Sequence, residues 1–246
     1  MEYKENEITV ILTVWKRDHV VEQIHALASQ TIKPTRVLIY QNESHFEVPF
    51  DIREKYDVSL IQSHDINFKF HGRFTLPLLC DTEYVAIFDD DTIPAPRWLE
   101  NCLRASKKYN CIVGANGRTL KDNESVETYG FGDGVPNEED REVDFVGHCW
   151  FFKTEWIKYM WRDRPATWDN GEDMHLSAAC NIYGNIPSYI PRQPKEDMSL
   201  WGDTKSHYGR DAHATWKTTT HSDIRTKVVK YWRAKGWKTL VTRSDA

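Results

Sequence analysis

Four short apolar runs, held apart by long connections, constrain this chain more than any other feature. ITVILTV at 8–14, RVLIY at 36–40, VSLIQS at 58–63 and VAIF at 85–88 are β-branched and aliphatic, and too short for helices. After the first run, HVVEQIHALASQ carries apolar residues at helical spacing, and GRFTLPLLCDT at 72–82 is expected to carry another helix. Strands joined by crossovers of this kind pair in parallel, whereas antiparallel neighbours need only a tight turn. The expected fold class is α/β, with a mixed, mostly parallel central sheet flanked by helices. Its first half is a candidate doubly wound nucleotide fold.

The second half is less regular. CIVGANGR at 111–118 and DFVGHCWFF at 144–152 read as strands, and KTEWIKYMW at 153–161 and GEDMHLSAACNIYG at 171–184 as helices. The stretch 119–142, rich in Gly, Asp, Glu and Asn, reads as an exposed excursion, and SDIRTKVVKYWRAKGW at 222–237 as an amphipathic C-terminal helix. With 246 residues, 40% hydrophobic and 13% aromatic, the chain can bury one sizeable core. One domain over 1–246 is expected: a nucleotide half to residue 91, an acceptor half over 92–221, and a helix and tail over 222–246.

A formal net charge of −5 opposes binding by blanket phosphate neutralisation, so no nucleic-acid partner is expected. No apolar run approaches the roughly 20 residues that span a bilayer, and MEYKENEITV lacks the apolar stretch of a signal peptide. The expectation is a soluble cytoplasmic chain, or a lumenal one if it is trimmed from a longer protein. Cys80, Cys102, Cys111, Cys149 and Cys180 are odd in number, widely spaced and without a C-x-x-C pair, and read as reduced packing residues.

Open α/β sheets bind ligands at the carboxyl ends of their strands. Here those ends are Thr13 to Arg17, Gln41-Asn42, and the triplet Asp89-Asp90-Asp91. Three adjacent carboxylates at the end of a buried strand repel one another and call for a cation. Mg²⁺ and Mn²⁺ take oxygen ligands, often one or two carboxylates with substrate phosphates and water completing the shell. The triplet also suits a solvated turn or a cap for the helix that starts near Pro96. Glu172 and Asp173 raise a similar choice: they are good first-turn acids, or carboxylates facing a reacting carbon.

In order along the chain, VILTVWKRDHVVEQI, VLIYQNE, FHGRFTLPLLCDTEYVAIFDDDT, IVGANGR, DFVGHCWFF and GEDMHLSAACNIYG resemble a GT-A glycosyltransferase. They are most similar to the exostosin-type domain that transfers N-acetylhexosamine from a UDP-sugar, and the likeness extends to family-2-like enzymes. The matches reach from about residue 8 to about 190, and the tail beyond 200 matches loosely.

The resemblance implies roles for particular positions. Arg17 would meet the nucleotide diphosphate, Asn42 the uracil or ribose, and Arg73 a phosphate or the sugar, with Thr13 and Asn67 as further nucleotide-sugar-binding candidates. Asp89 would bind the ribose, Asp90 the sugar, and Asp91, with Asp89 beside it, Mn²⁺ or Mg²⁺. Asp173 would be the active-site carboxylate, with Glu172 next to it. Two positions depart from the family: Phe68 stands where a nucleotide-contacting asparagine belongs, and Gln41 replaces the first of an Asn pair. His207, Arg210 and His213 are candidates to complete the diphosphate or metal site; Trp150 and Trp201 read as packing. Arg17 and Arg73 also fit surface arginines paired with nearby acids, and Asn42 a turn residue.

The implied reaction is metal-dependent transfer of a sugar from a nucleotide diphosphate donor to a hydroxyl of a glycan, glycolipid or glycoprotein. A sugar nucleotidyltransferase shares the fold and metal but usually has a Gly-rich loop after the first strand, and TVWKRDH has no glycine. A catalytically silent carbohydrate-binding domain is the alternative from another class.

Overall fold

A computed structural model describes residues 3–43, 45–121, 128–132 and 134–244. The four N-terminal runs form β1 (Lys4–Val14), β2 (Arg36–Asn42), β3 (Val58–Ser63) and β4 (Thr82–Phe88). They pair in parallel in the spatial order β3-β2-β1-β4, as the long connections require. The register sets Leu12 opposite both Ile39 and Phe88, so the residues following β1, β2 and β4 leave the sheet along one edge.

The second half adds β5 (Ile112–Leu120), β6 (Thr128–Gly132), β7 (Arg141–Val143), β8 (Phe145–Lys153) and β9 (Ser188–Ile190). β8 joins β4 antiparallel, β5 joins β8, and the sheet continues through β9 to β7, with β6 on β5. Antiparallel pairing delivers His148 beside the end of β4, where its carbonyl accepts from the Asp89 amide at 3.0 Å.

The central strands are apolar on both faces because both faces are covered. Val10, Leu12, Val14, Ala86 and Phe88 pack with α1 (Val20–Ala28) and α3 (Trp98–Tyr109). Between these two helices in sequence lies the short exposed α2 (Phe50–Lys55). Ile11, Val85 and Ile87 face the other way, against Trp150, Phe152 and Leu176. Fully burying each such side chain contributes about 1.5–3 kcal/mol relative to leaving it exposed. All five cysteines are buried and unbridged.

Several expected elements differ in kind or extent. Residues Gly72–Leu79 form a 3-10 segment, not an α-helix, because Pro77 lies inside it and removes an amide donor. The expected helix 153–161 divides: β8 runs on to Lys153, Thr154–Trp156 is a 3-10 turn, and only α4 (Ile157–Met160) is α-helical. The excursion 119–142 is partly sheet, carrying β6 and β7, while residues 122–127 and 133 lie outside the described residues. α5 (Glu172–Gly184) forms as expected, whereas α6 (His221–Ala234) stops short of the expected 237 and the tail carries a further short helix, α7 (Leu240–Ser244). No helix among the described residues is long and apolar enough to cross a membrane.

Candidate active site

Thr13, Arg17, Asn42, Asn67, Arg73, Asp89, Asp90, Asp91, Glu172 and Asp173 all line one cleft of about 710 Å³ at the carboxyl edge of the sheet. β1 contributes Thr13, with Arg17 just beyond it. Asn42 ends β2, Asn67 follows β3, and Asp89, Asp90 and Asp91 follow β4. Arg73 comes from the 3-10 segment, and Glu172 and Asp173 from the first turn of α5.

Two arginines offset the carboxylate triplet. Arg17 Nη1 lies 2.5 Å from Asp90 Oδ1 and 3.1 Å from Asp91 Oδ2, and Arg73 pairs with Asp89. Burial pushes Asp90 up to about 7, against the charge of Arg17, which pulls it down; repulsion from Asp91 and Asp89 adds to the rise. Asp91 is raised for the same reason, burial first and the Asp89 charge second. Burial also works against the Arg17 cation, but its hydrogen bond to Asp211 and the charges of Asp90 and Asp91 outweigh it, so the guanidinium stays protonated.

Arg73 is buried, 4% exposed, and lies 4.5 Å above the Trp150 ring. One terminal nitrogen pairs with Asp89 and the other donates to Glu172 Oε1 at 2.8 Å. The residue expected to hold a phosphate or sugar therefore links the triplet to α5. Burial pushes Glu172 up to about 7, Arg73 opposing and Asp173 and Asp89 adding to the rise. Its second oxygen, Oε2, is buried without a hydrogen-bond partner. α5 starts here because Gly171 adopts φ +86, a left-handed conformation that costs glycine little, and a Cβ there would stand 2.8 Å from Val228 Cγ2. Asp173 is gripped by Arg225, Nη2 to Oδ2 at 2.8 Å and Nη1 to Oδ1 at 3.2 Å.

At the other end, Asn42 and Asn67 form a pair. Asn42 Nδ2 donates to Asn67 Oδ1 at 2.8 Å, and Asn67 Nδ2 donates to Glu43 Oε2 at 2.7 Å. The Phe68 backbone amide donates to Asn42 Oδ1 at 3.0 Å while the residue is 50% exposed, so the side chain beside Asn42 is that of Asn67. Gln41 is buried away from the cleft, donating to the Phe46 carbonyl at 2.6 Å and accepting from Gln62 at 2.7 Å. Thr13 Oγ1 is buried in the cleft wall with no hydrogen-bond partner.

Of the tail candidates, Arg210 and His213 line the cleft and His207 does not. Trp150 and Trp201 are both buried, their indole nitrogens donating to the carbonyls of Val146 at 2.9 Å and Pro194 at 2.8 Å. Sequence reasoning missed Asp211, Arg225 and His148. Arg225 is one of several basic residues on an amphipathic helix, and Asp211 sits in a polar tail, so neither carries a local signal.

A divalent cation is tested by the donors present. Among the described residues, no three His, Cys, Asp or Glu side chains cluster to hold a metal by themselves. The donor chemistry nevertheless fits Mg²⁺ or Mn²⁺, which take few carboxylates when a diphosphate supplies the rest. Asp91 meets Arg17 through Oδ2, and the contact of Oδ1 is with the Thr92 hydroxyl at 3.5 Å. Gly209 packs closely over this carboxylate: a Cβ there would stand 3.0 Å from Asp91 Oδ2.

No protein-family model matches the chain, and no curated protein matches it. Solved structures do. The crystal structure of S. aureus TarS aligns with a TM-score of 0.55 at 16% identity, over 76% of this chain and 36% of that one. That of S. aureus TarS 1-349 in complex with UDP aligns with a TM-score of 0.54 at 16% identity, over 75% of this chain and 60% of that one. The likeness shows the fold expected from the sequence, a GT-A-type mixed α/β domain with a central sheet flanked by helices. These neighbours support the glycosyltransferase fold and do not single out the exostosin type. This chain spans between about a third and three fifths of the TarS chains it matches.

Proposed function

We propose that the protein transfers a sugar from a nucleotide diphosphate donor, a UDP-sugar, to a hydroxyl of a glycan or glycoconjugate. One observation carries this reading: the carboxylates after β4, Arg17 after β1 and the acids of α5 all face a single cleft. The UDP complex of S. aureus TarS, a structure of the same fold, supports the choice of donor. Asn42, held by Asn67, keeps one amide hydrogen for the base or ribose, and Thr13 lines the same cleft.

Negative charge grows on the departing diphosphate, and preorganised cations there stabilise the transition state. Arg17 supplies one such charge. Mn²⁺ or Mg²⁺, held by Asp91 with Asp89 beside it, would supply Lewis-acid stabilisation of the same oxygens. Asp173, oriented by Arg225, works on the other side of the anomeric carbon, as base for the acceptor hydroxyl or as the charge that stabilises a cationic sugar. Arg73 keeps the two groups of carboxylates in register through Asp89 and Glu172.

The test is UDP release from a panel of UDP-sugars with Mn²⁺ and candidate acceptors. Asp91→Ala and Asp173→Asn should each lower turnover by about 10²-fold or more with folding preserved. Full activity in either removes that residue from the assigned role. A sugar-binding module would bind donor or glycan and release no UDP in any of these assays.

A further inference from the structure

The proposed diphosphate ligand is already occupied by the protein itself. Arg17 Nε and Nη2 donate to Asp211 Oδ2 and Oδ1 at 2.7 and 2.8 Å, the two-pronged geometry a guanidinium offers a phosphate. Its third nitrogen, Nη1, faces Asp90 and Asp91. All three nitrogens therefore meet carboxylates, and a fourth anion cannot take the side of the guanidinium that Asp211 holds.

Asp211 belongs to a segment, residues 205–217, that crosses the cleft. Tyr208 anchors it to α1, stacking on the His19 ring with centroids 3.9 Å apart and donating to Glu22 Oε2 at 2.9 Å. Lys205 lies 3.8 Å from the same carboxylate through Oε1. Gly209 rests over Asp91, and the His213 amide donates to Asp211 Oδ1 at 2.8 Å. The Asp211 side chain is 36% exposed, so its hold on Arg17 is polar and reversible and is not fixed by apolar burial.

We propose that residues 205–217 form an autoinhibitory strap in which Asp211 occupies the diphosphate position on Arg17, and that nucleotide entry requires the strap to release that arginine. The inference rests on the reading of Arg17 as a diphosphate ligand. Nucleotide affinity is then reduced by the fraction of molecules in which the strap is closed, and weakening the strap restores it.

Calorimetric titration of UDP with Mn²⁺ into the wild-type protein and Asp211→Asn tests this. The variant should bind UDP about tenfold more tightly. Tyr208→Ala, which removes the anchor on α1 and leaves Arg17 and Asp211 in place, should shift the affinity in the same direction. Equal or weaker binding by Asp211→Asn overturns the strap alone, a weaker value meaning that Asp211 helps to hold the nucleotide or its cation. UDP binding by neither wild type nor Asp211→Asn overturns both the donor reading and the strap.

Discussion

Arg225 of α6 holds both carboxylate oxygens of Asp173 in α5, at 2.8 and 3.2 Å. The pair fixes the direction of the carboxylate and ties the C-terminal helix to the cleft. α6 has its own apolar anchors in Val228, Val229 and Trp232, so Arg225→Gln should fold. Its turnover should fall by about 10²-fold, with a smaller change in KM for the donor, because a misdirected group costs rate more than binding. Arg225→Lys should recover only part, since an ammonium cannot make the planar fork. Steady-state kinetics measure both, and wild-type kcat in Arg225→Gln would remove the residue from the site.

Arg73 is the buried cation between Asp89 and Glu172. Arg73→Met strands two carboxylates in a low-dielectric wall, and breaking a buried pair in this way costs about 3–5 kcal/mol. Denaturant unfolding at neutral pH should show that loss. Part of it should return in mildly acidic buffer, where the stranded carboxylates take up protons.

Glu172 sets a pH dependence with a definite sign. Its folded value is raised to about 7 by burial, above the ordinary carboxylate value near 4.5, so the native state binds the extra proton between those limits. The stabilisation is fully present below about 4.5 and is lost as pH rises through about 7. Thermal unfolding without nucleotide or cation should therefore show stability falling over that window. Glu172→Gln, which cannot ionise, should reduce the slope, with Asp90, also raised to about 7 by burial, supplying the remainder.

Gly171 permits the start of α5. With φ +86 and Val228 Cγ2 only 2.8 Å from where a Cβ would stand, Gly171→Ala should destabilise the fold by about 1–3 kcal/mol. Because the residue precedes Glu172 and Asp173, turnover should fall further than stability explains. Thermal melts and kinetics on the same preparation separate the two effects.

Much of the site is legible along the chain because the sheet carries it there. Where a β-branched run ends, its last residues reach the carboxyl edge whatever packs around them, so Thr13, Arg17, Asn42 and Asp89 to Asp91 could be placed from strand ends alone. Glu172 and Asp173 followed from the start of an apolar helix behind a glycine. At Gly72–Leu79 the apolar pattern points to a helix, and Pro77 within the run is the signal against an α-helix that the pattern alone does not weigh.

The sequence by itself determined the parallel N-terminal sheet, the edge where the acids emerge and the unbridged packing of the cysteines, since each follows from local pattern and composition. Only the tertiary structure decided which cation meets which carboxylate. Arg73 lies 16 residues from Asp89 but 99 from Glu172, and Arg17 lies 194 from Asp211. Contacts across such separations depend on how the helices and the tail close over the sheet, and no spacing within a segment records that closure. The same holds for Arg225, which meets Asp173 from a separate helix of the tail.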